Sequence, residues 1–179
     1  MKKFLVNITV AVSVLMALCP MTSHAATPVP EGYKTFELTG FQVSVPDEFS
    51  QSEGWSTESN ISLNSNAVNV RDDGNEYISS ATISAYDFDG SIDNLNEYAQ
   101  NMMWSVKAMD EECDEPIIEG NTVMLRSTSD VGDGYLINWR FLVVNEDSKI
   151  AGGTISYREE DAKFYDGIVT PIIQSIQFK

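Results

Sequence analysis

The sequence has 179 residues, of which 42% are hydrophobic, and this length and composition fit a single globular domain. Its 27 acidic residues against 11 basic ones give a formal net charge of −16 at pH 7. Nucleic acid and anionic lipid surfaces would repel such a chain, which excludes both as partners. The single histidine, His24, and the two cysteines, Cys19 and Cys113, leave few of the residues that most enzymes use.

The N-terminus has the pattern of a secretory signal peptide. Lys2 and Lys3 precede the apolar run 4–19, and the small residue Ala25 closes a polar stretch. The run is about 16 residues long, whereas a membrane-spanning helix needs roughly 20. The sequence therefore predicts a cleaved signal peptide at 1–25 and export to the periplasm or the outside.

The predicted cleavage divides the chain into a linker at 26–32 and one domain at 33–179. It removes His24, Cys19 and two lysines, so the net charge becomes −18. A lipid anchor at Cys19 is the alternative to cleavage. That alternative is disfavoured by Leu18 and Pro20, which replace the small residues expected beside a lipidated cysteine.

The first half of the domain has the alternation of β-strands. Apolar residues alternate in 36–38 and 41–45 around the turn at Gly40, which predicts a hairpin. Residues 47–64 are rich in Ser, Asn and Glu and indicate a loop. Strands are predicted at 67–70 and 77–88, the latter as an interior strand with a helix lying across its small residues.

A helix is predicted from a cap at Ser91 to about Ala108, because its apolar residues recur at helical spacing. Trp104 falls almost opposite that apolar stripe, on the side that carries Glu97 and Gln100. An exposed Trp on a polar face is a candidate contact for a protein partner or a sugar. The alternative is that the acidic loop 109–116, or a neighbouring element, folds over it.

The second half of the domain again shows the alternation of strands and the apolar spacing of a helix. Strands are predicted at 117–118, 122–127, 135–144 and 149–157, with the strand 135–144 covered on both faces. A second helix is predicted at 160–174, kinked at Pro171, with a short extended tail at 176–178.

This order of elements predicts an α+β fold, namely one antiparallel sheet covered by helices. The segment Gly40–Pro46, the hairpin after Gly120 and the ending 164–178 together resemble the PsbP-like α/β/α sandwich superfamily. That superfamily includes an extrinsic subunit of the oxygen-evolving complex, a yeast Ran-binding release factor and many small exported bacterial proteins, and the resemblance is to these last members. It implies a scaffold that usually binds other proteins, with no site residue to carry over.

The composition predicts no catalytic residue, no cofactor and no metal site. Zinc needs Cys and His ligands, and the calcium-like segment 87–93 has its glycine two positions early, with Tyr98 where a glutamate ligand belongs. Five carboxylates flank Cys113 within 110–115 and disfavour its thiolate, so that residue is not an activated nucleophile.

Two classes of function remain open. The first is a non-catalytic protein-binding or assembly module of the bacterial cell envelope, and its candidate partner surface is formed by Trp104, Glu97 and Gln100. The second is a hydrolase that uses two carboxylates. The negative charge also permits an inhibitor or immunity protein for a basic partner.

Overall fold

Two antiparallel sheets and two helices form the domain. The computed structural model describes residues 29–52, 56–70, 74, 76–88, 92 and 94–179, apart from the side chains at 67, 69, 70, 76–78 and 88. The predicted signal peptide, its cleavage site and Cys19 lie outside the described residues. The helices are α1 (Leu95–Ala108) and α2 (Ala162–Gln174), and a 3-10 turn at Glu159–Asp161 leads into α2.

Eleven strands are present in the described residues. They are β1 (Tyr33–Glu37), β2 (Phe41–Pro46), β3 (Ser50–Gln51), β4 (Asn60–Val70), β5 (Glu76–Phe88), β6 (Glu112–Cys113), β7 (Ile117–Glu119), β8 (Thr122–Asp130), β9 (Tyr135–Val144), β10 (Ile150–Arg158) and β11 (Gln177–Phe178). A three-stranded sheet has the order β1-β2-β11, and an eight-stranded sheet has the order β3-β4-β5-β10-β9-β8-β6, with β7 also paired to β8.

The predicted fold class, a single antiparallel sheet covered by helices, was wrong. Strands account for about half of the described residues, so the fold is β-rich. The N-terminal hairpin and the C-terminal tail form a sheet of their own. The physical reason is that α2 is too short to cover the long strands of the large sheet, and the small sheet fills the rest of that layer.

The main core lies between the large sheet on one side and α2 with the small sheet on the other. Tyr165, Val169, Ile172 and Ile173 of α2 are buried there. The end of α2 is fixed to β2 by buried Ser175, whose Oγ accepts from the Ser44 backbone N–H at 2.8 Å. The helix predicted at 160–174 is confirmed at 162–174, and Pro171 lies inside the continuous helix.

Two local predictions need correction, and the prediction for β5 is met on one face. The predicted loop 47–64 contains β3 and the first five residues of β4, where Ile61 and Leu63 are buried and their outward neighbours are Asn and Ser. β5 is an interior strand whose small residues on the core face meet α2, since Ser79 Oγ lies 3.2 Å from the Tyr165 hydroxyl, whereas its outward residues Ser80 and Thr82 are exposed. α1 begins after Asn94, not after Ser91, which lies outside the described residues.

The second half agrees more closely with prediction. Strands β7 to β10 occur within two or three residues of the predicted bounds. β9 buries Ile137 and Phe141 on one face and Asn138 and Leu142 on the other, so its predicted coverage on both faces is confirmed.

A glycine in β10 allows the sheet and the core to close. A Cβ on Gly153 would overlap the carbonyl oxygen of Ser84 on β5 and lie 2.8 Å from Cε1 of Phe141 on β9. The first contact is with backbone, which cannot rotate away. Gly167 in α2 is the opposite case, because a Cβ there would meet nothing within 4 Å.

We predict that Gly153→Ala destabilises the fold by about 1–3 kcal/mol or more, because the added methyl overpacks a closed core. Gly167→Ala should instead stabilise it by about 0.5–1 kcal/mol, because alanine is the better helix former. Urea unfolding of both variants measures the difference. Equal effects from the two substitutions would contradict the assigned packing.

Candidate functional site

Helix α1 presents an exposed indole on a rigid support. Its buried residues Ala99, Met103 and Val106 pack on the β8 side of the large sheet. Trp104 points away from that sheet, and 67% of its surface is exposed. The acidic segment after the helix does not cover it, so the alternative in which that segment folds over the indole was wrong.

The three residues of the candidate partner surface share one stripe of α1. Glu97, Gln100 and Trp104 are spaced three and four residues apart, which places them on the same side of a helix, and all three are exposed. The arrangement offers a large flat apolar group flanked by a carboxylate and an amide. We call these three residues the α1 surface.

Both ends of α1 are fixed by capping interactions. The Asn94 side chain accepts from the backbone N–H groups of Asn96 at 3.0 Å and Glu97 at 3.2 Å. At the other end Asp110 has φ of 62°, and its N–H donates to Lys107 O while that of Glu111 donates to Val106 O. This is a Schellman ending, with an aspartate where glycine is usual.

The ending of α1 directs Glu111 back over the sheet. Its carboxylate receives two hydrogen bonds from Arg140 of β9, at 2.8 and 3.0 Å, and one from Ser127 of β8 at 2.6 Å. Partial burial raises the pKa of Glu111, but these hydrogen bonds and the charge of Arg140 outweigh it, so the pKa lies below its ordinary value. The ion pair fixes the position of the helix C-terminus against the sheet.

The rest of the acidic segment is arranged along the edge of the sheet. Asp114 lies 3.6 Å from the Arg126 guanidinium, and Cys113 in β6 is half-buried beside Met103 and Val106. Cys113 therefore packs as a small apolar residue under α1. The sequence missed the role of Glu111, because its partner Arg140 is 29 residues away in the chain.

Neither a metal centre nor a membrane span is found in the described part of the chain. No group of three or more His, Cys, Asp or Glu side chains there could hold a metal ion. No described helix is long and apolar enough to cross a membrane. Of the calcium-like segment, Asp87 packs its carboxylate against Gly40, and residues 89–91 and 93 lie outside the description.

These features define a β-rich, two-sheet domain with two helices, of which α1 carries the candidate surface. Among solved structures, the chain is similar to the Ran-binding protein Mog1p of Saccharomyces cerevisiae, with a TM-score of 0.51 and 13% identity over 81% of this chain and 94% of that one. A point mutant of Mog1 gives the same TM-score and identity, with 95% of its chain covered. No protein-family model and no curated protein matches the chain.

The comparison corrects the resemblance drawn from the sequence. The two solved structures described above are those of Mog1p, and the assignment to the small exported bacterial members of the PsbP-like superfamily was wrong. Patterns of aliphatic residues, Gly and Pro reflect how sheets and helices pack. Proteins of one fold share this packing even when their functions differ, so the pattern does not distinguish among them. At 13% identity the likeness establishes the fold alone.

We predict that Glu111→Gln lowers the melting temperature at pH 7, because it leaves Arg140 without its charged partner. The folded-state pKa of Glu111 is lowered, so its stabilisation is present above the unfolded value of about 4.5 and is lost as the pH falls through the lower folded value. The difference between wild type and variant should therefore shrink below about pH 4.5.

Glu112→Gln is the matched control, since that side chain is exposed and next to Glu111. Melting curves of both variants between pH 3 and pH 7 make the comparison. A pH-independent difference for Glu111→Gln would mean that the ion pair does not form in solution.

Proposed function

We propose that this chain is an exported, non-catalytic module that binds another protein through the α1 surface. The observation that carries the proposal is the exposure of Trp104, 67% of whose surface is open on a helix fixed at both ends. Trp is enriched among the residues that dominate binding energy at protein interfaces. A surface that is rigid before binding loses little conformational entropy when the complex forms.

The fold supports a binding role. A structural neighbour, Mog1p, is a Ran-binding protein, so this architecture is used elsewhere as a protein-binding scaffold. This use of a similar architecture favours binding over chemistry.

The charge favours a partner with a basic surface around an apolar pocket. The net charge of −16 attracts cationic proteins over distances of about 10 Å or less at ordinary salt. Exposed Glu97 lies in the α1 surface, and exposed Asp110, Glu112 and Glu115 follow the helix. The indole would enter an apolar pocket of the partner, and basic groups around that pocket would lie against these carboxylates.

Export is part of the proposal, and it rests on the sequence of residues 1–25. N-terminal sequencing of the protein from its native host should begin at Ala26. A protein that starts at Met1, or at a lipid-modified Cys19, would contradict this part of the proposal and leave the binding surface to be tested separately.

We predict that Trp104→Ala weakens partner binding by about 2 kcal/mol or more, the loss expected for a Trp at the centre of an interface. The partner is first captured from an envelope extract on the wild-type protein and identified, and its dissociation constant is then measured with purified proteins. Phe164→Ala is the matched control, because Phe164 is an exposed aromatic residue on the other helix.

The control should bind as tightly as the wild type. Equal losses for the two variants would indicate a nonspecific apolar contact. Unchanged binding for Trp104→Ala would remove the α1 surface from consideration.

A further inference from the structure

A second surface lies on the large sheet, beside α1. Six outward-facing residues of β4, β5 and β10 form it: Asn60, Ser62, Asn64, Ser84, Tyr86 and Thr154. They share one side because residues paired across antiparallel strands point to the same face. We call this set the neutral sheet face.

Tyr86 lies over Gly152 on this face. Gly152 of β10 is its cross-strand partner, and a Cβ placed on Gly152 would be 3.2–3.4 Å from Cε2, Cζ and the hydroxyl of Tyr86. The ring therefore occupies the space that a side chain would fill, and 39% of the Tyr86 surface remains exposed. A partly exposed aromatic ring is thus held against the sheet.

Tyr98 of α1 lies near the Tyr86 ring. Burial raises the pKa of Tyr98, and its proximity to the Tyr86 phenol raises it further. Tyr98 also packs in the apolar cluster that holds the N-terminal half of α1 to the sheet. The neutral sheet face therefore lies next to the N-terminal half of α1, and Tyr86 is the residue of that face near the helix.

Four polar side chains around Tyr86 have no side-chain hydrogen bond to another described residue. Asn60 is the direct cross-strand neighbour of Tyr86, and Ser62, Ser84 and Thr154 lie one row further along the same face. Elsewhere on this side of the sheet such groups bond to one another. Ser156 donates to Asn138 at 2.7 Å, and Asn138 donates to Ser129 at 2.9 Å.

The charge of this surface differs from that of the whole chain. None of its six residues is charged, although the protein carries 27 acidic residues. Two described arginines on the same side of the sheet form ion pairs, Arg140 with Glu111 at 2.8 Å and Arg158 with Asp133 at 3.2 Å. A cationic ligand would prefer the carboxylates elsewhere, and the net charge would repel an anionic one.

We propose that the neutral sheet face binds an uncharged glycan chain, with one sugar ring stacked on Tyr86 and its hydroxyl groups bonded to Asn60, Ser62, Ser84 and Thr154. The apolar C–H face of a pyranose matches a flat phenol ring, and its hydroxyls match amide and hydroxyl side chains that both donate and accept. The site is separate from the α1 surface, because Trp104 points away from the sheet.

Affinity electrophoresis in native gels tests the proposal. The gels contain one neutral polysaccharide each: hydroxyethylcellulose, dextran, mannan, glucomannan or glycol chitin. At least one should retard the full mature protein. Tyr86→Ala should weaken that retardation about tenfold or more, as expected for loss of a central aromatic contact.

Tyr135→Ala is the matched control, since Tyr135 is 50% exposed and lies outside the neutral sheet face. It should be retarded like the wild type, and so should Trp104→Ala. Because Tyr86 also packs over Gly152, thermal melting is recorded for each variant. The double variant Asn60→Ala and Thr154→Ala removes two of the side chains proposed to bond the sugar hydroxyls and leaves the Tyr86 ring unchanged, so it is an independent test.

Three results would overturn the proposal. The first is no retardation by any of the five polysaccharides, and the second is equal retardation of the wild type and Tyr86→Ala. The third is loss of the protein partner in Tyr86→Ala but not in Trp104→Ala, which would make the neutral sheet face the protein-binding site. Failure of the Trp104 experiment alone leaves the glycan site standing.

Discussion

The Gly152-Gly153 pair in the centre of β10 determines what each face of the large sheet can hold. Gly153 points into the core, where the Ser84 carbonyl and the Phe141 ring approach too closely for any side chain. Gly152 points to the other side, where its missing side chain is replaced by the Tyr86 ring. Two adjacent residues thus allow a tightly closed core on one face and close packing of an aromatic ring on the other.

Helix α1 depends on the same sheet for its position. Its apolar side packs on Val123, Leu142 and Ile150, and the Glu111–Arg140 ion pair fixes the chain after its last turn. An exposed Trp on a loosely held helix would bury itself against the nearest apolar surface. Here the apolar side of the helix is already occupied and both ends are capped, so the indole stays on the outside.

The sequence predicts the second half of the chain well, because apolar residues there repeat strongly at strand or helix spacing. The helix predicted at 160–174 and the strand predicted at 135–144 are examples, and both elements bury apolar residues against the core. The loop prediction at 47–64 was wrong because β4 alternates Ile61 and Leu63 with Asn and Ser, residues that usually indicate turns. Further along β4, Ser65 takes a core position, where it faces the Tyr165 hydroxyl at 3.5 Å.

The site residues that could be predicted from the sequence are those whose positions depend on local spacing, and the ones that were missed depend on contacts distant in the chain. Trp104, Glu97 and Gln100 lie on one helix, so their common exposure could be derived from helical spacing alone. The position of Tyr86 depends on its pairing with Gly152, 66 residues away, and no local pattern contains that register. The sequence could likewise not show on which face of β5 a helix would pack, because that strand carries small residues on both faces and α2 meets only those of the core face, such as Ser79.

The distribution of charge explains how one small domain could keep two binding surfaces apart. A highly acidic chain resists contacts between its own copies, because like charges repel at short range. A surface free of unpaired carboxylates is where that repulsion is weakest, and a neutral ligand can be held there without desolvating a charge. At the α1 surface the carboxylates remain and would add attraction to a basic partner. As proposed, the two surfaces would select ligands of different charge, so that a ligand on one would not compete with a ligand on the other.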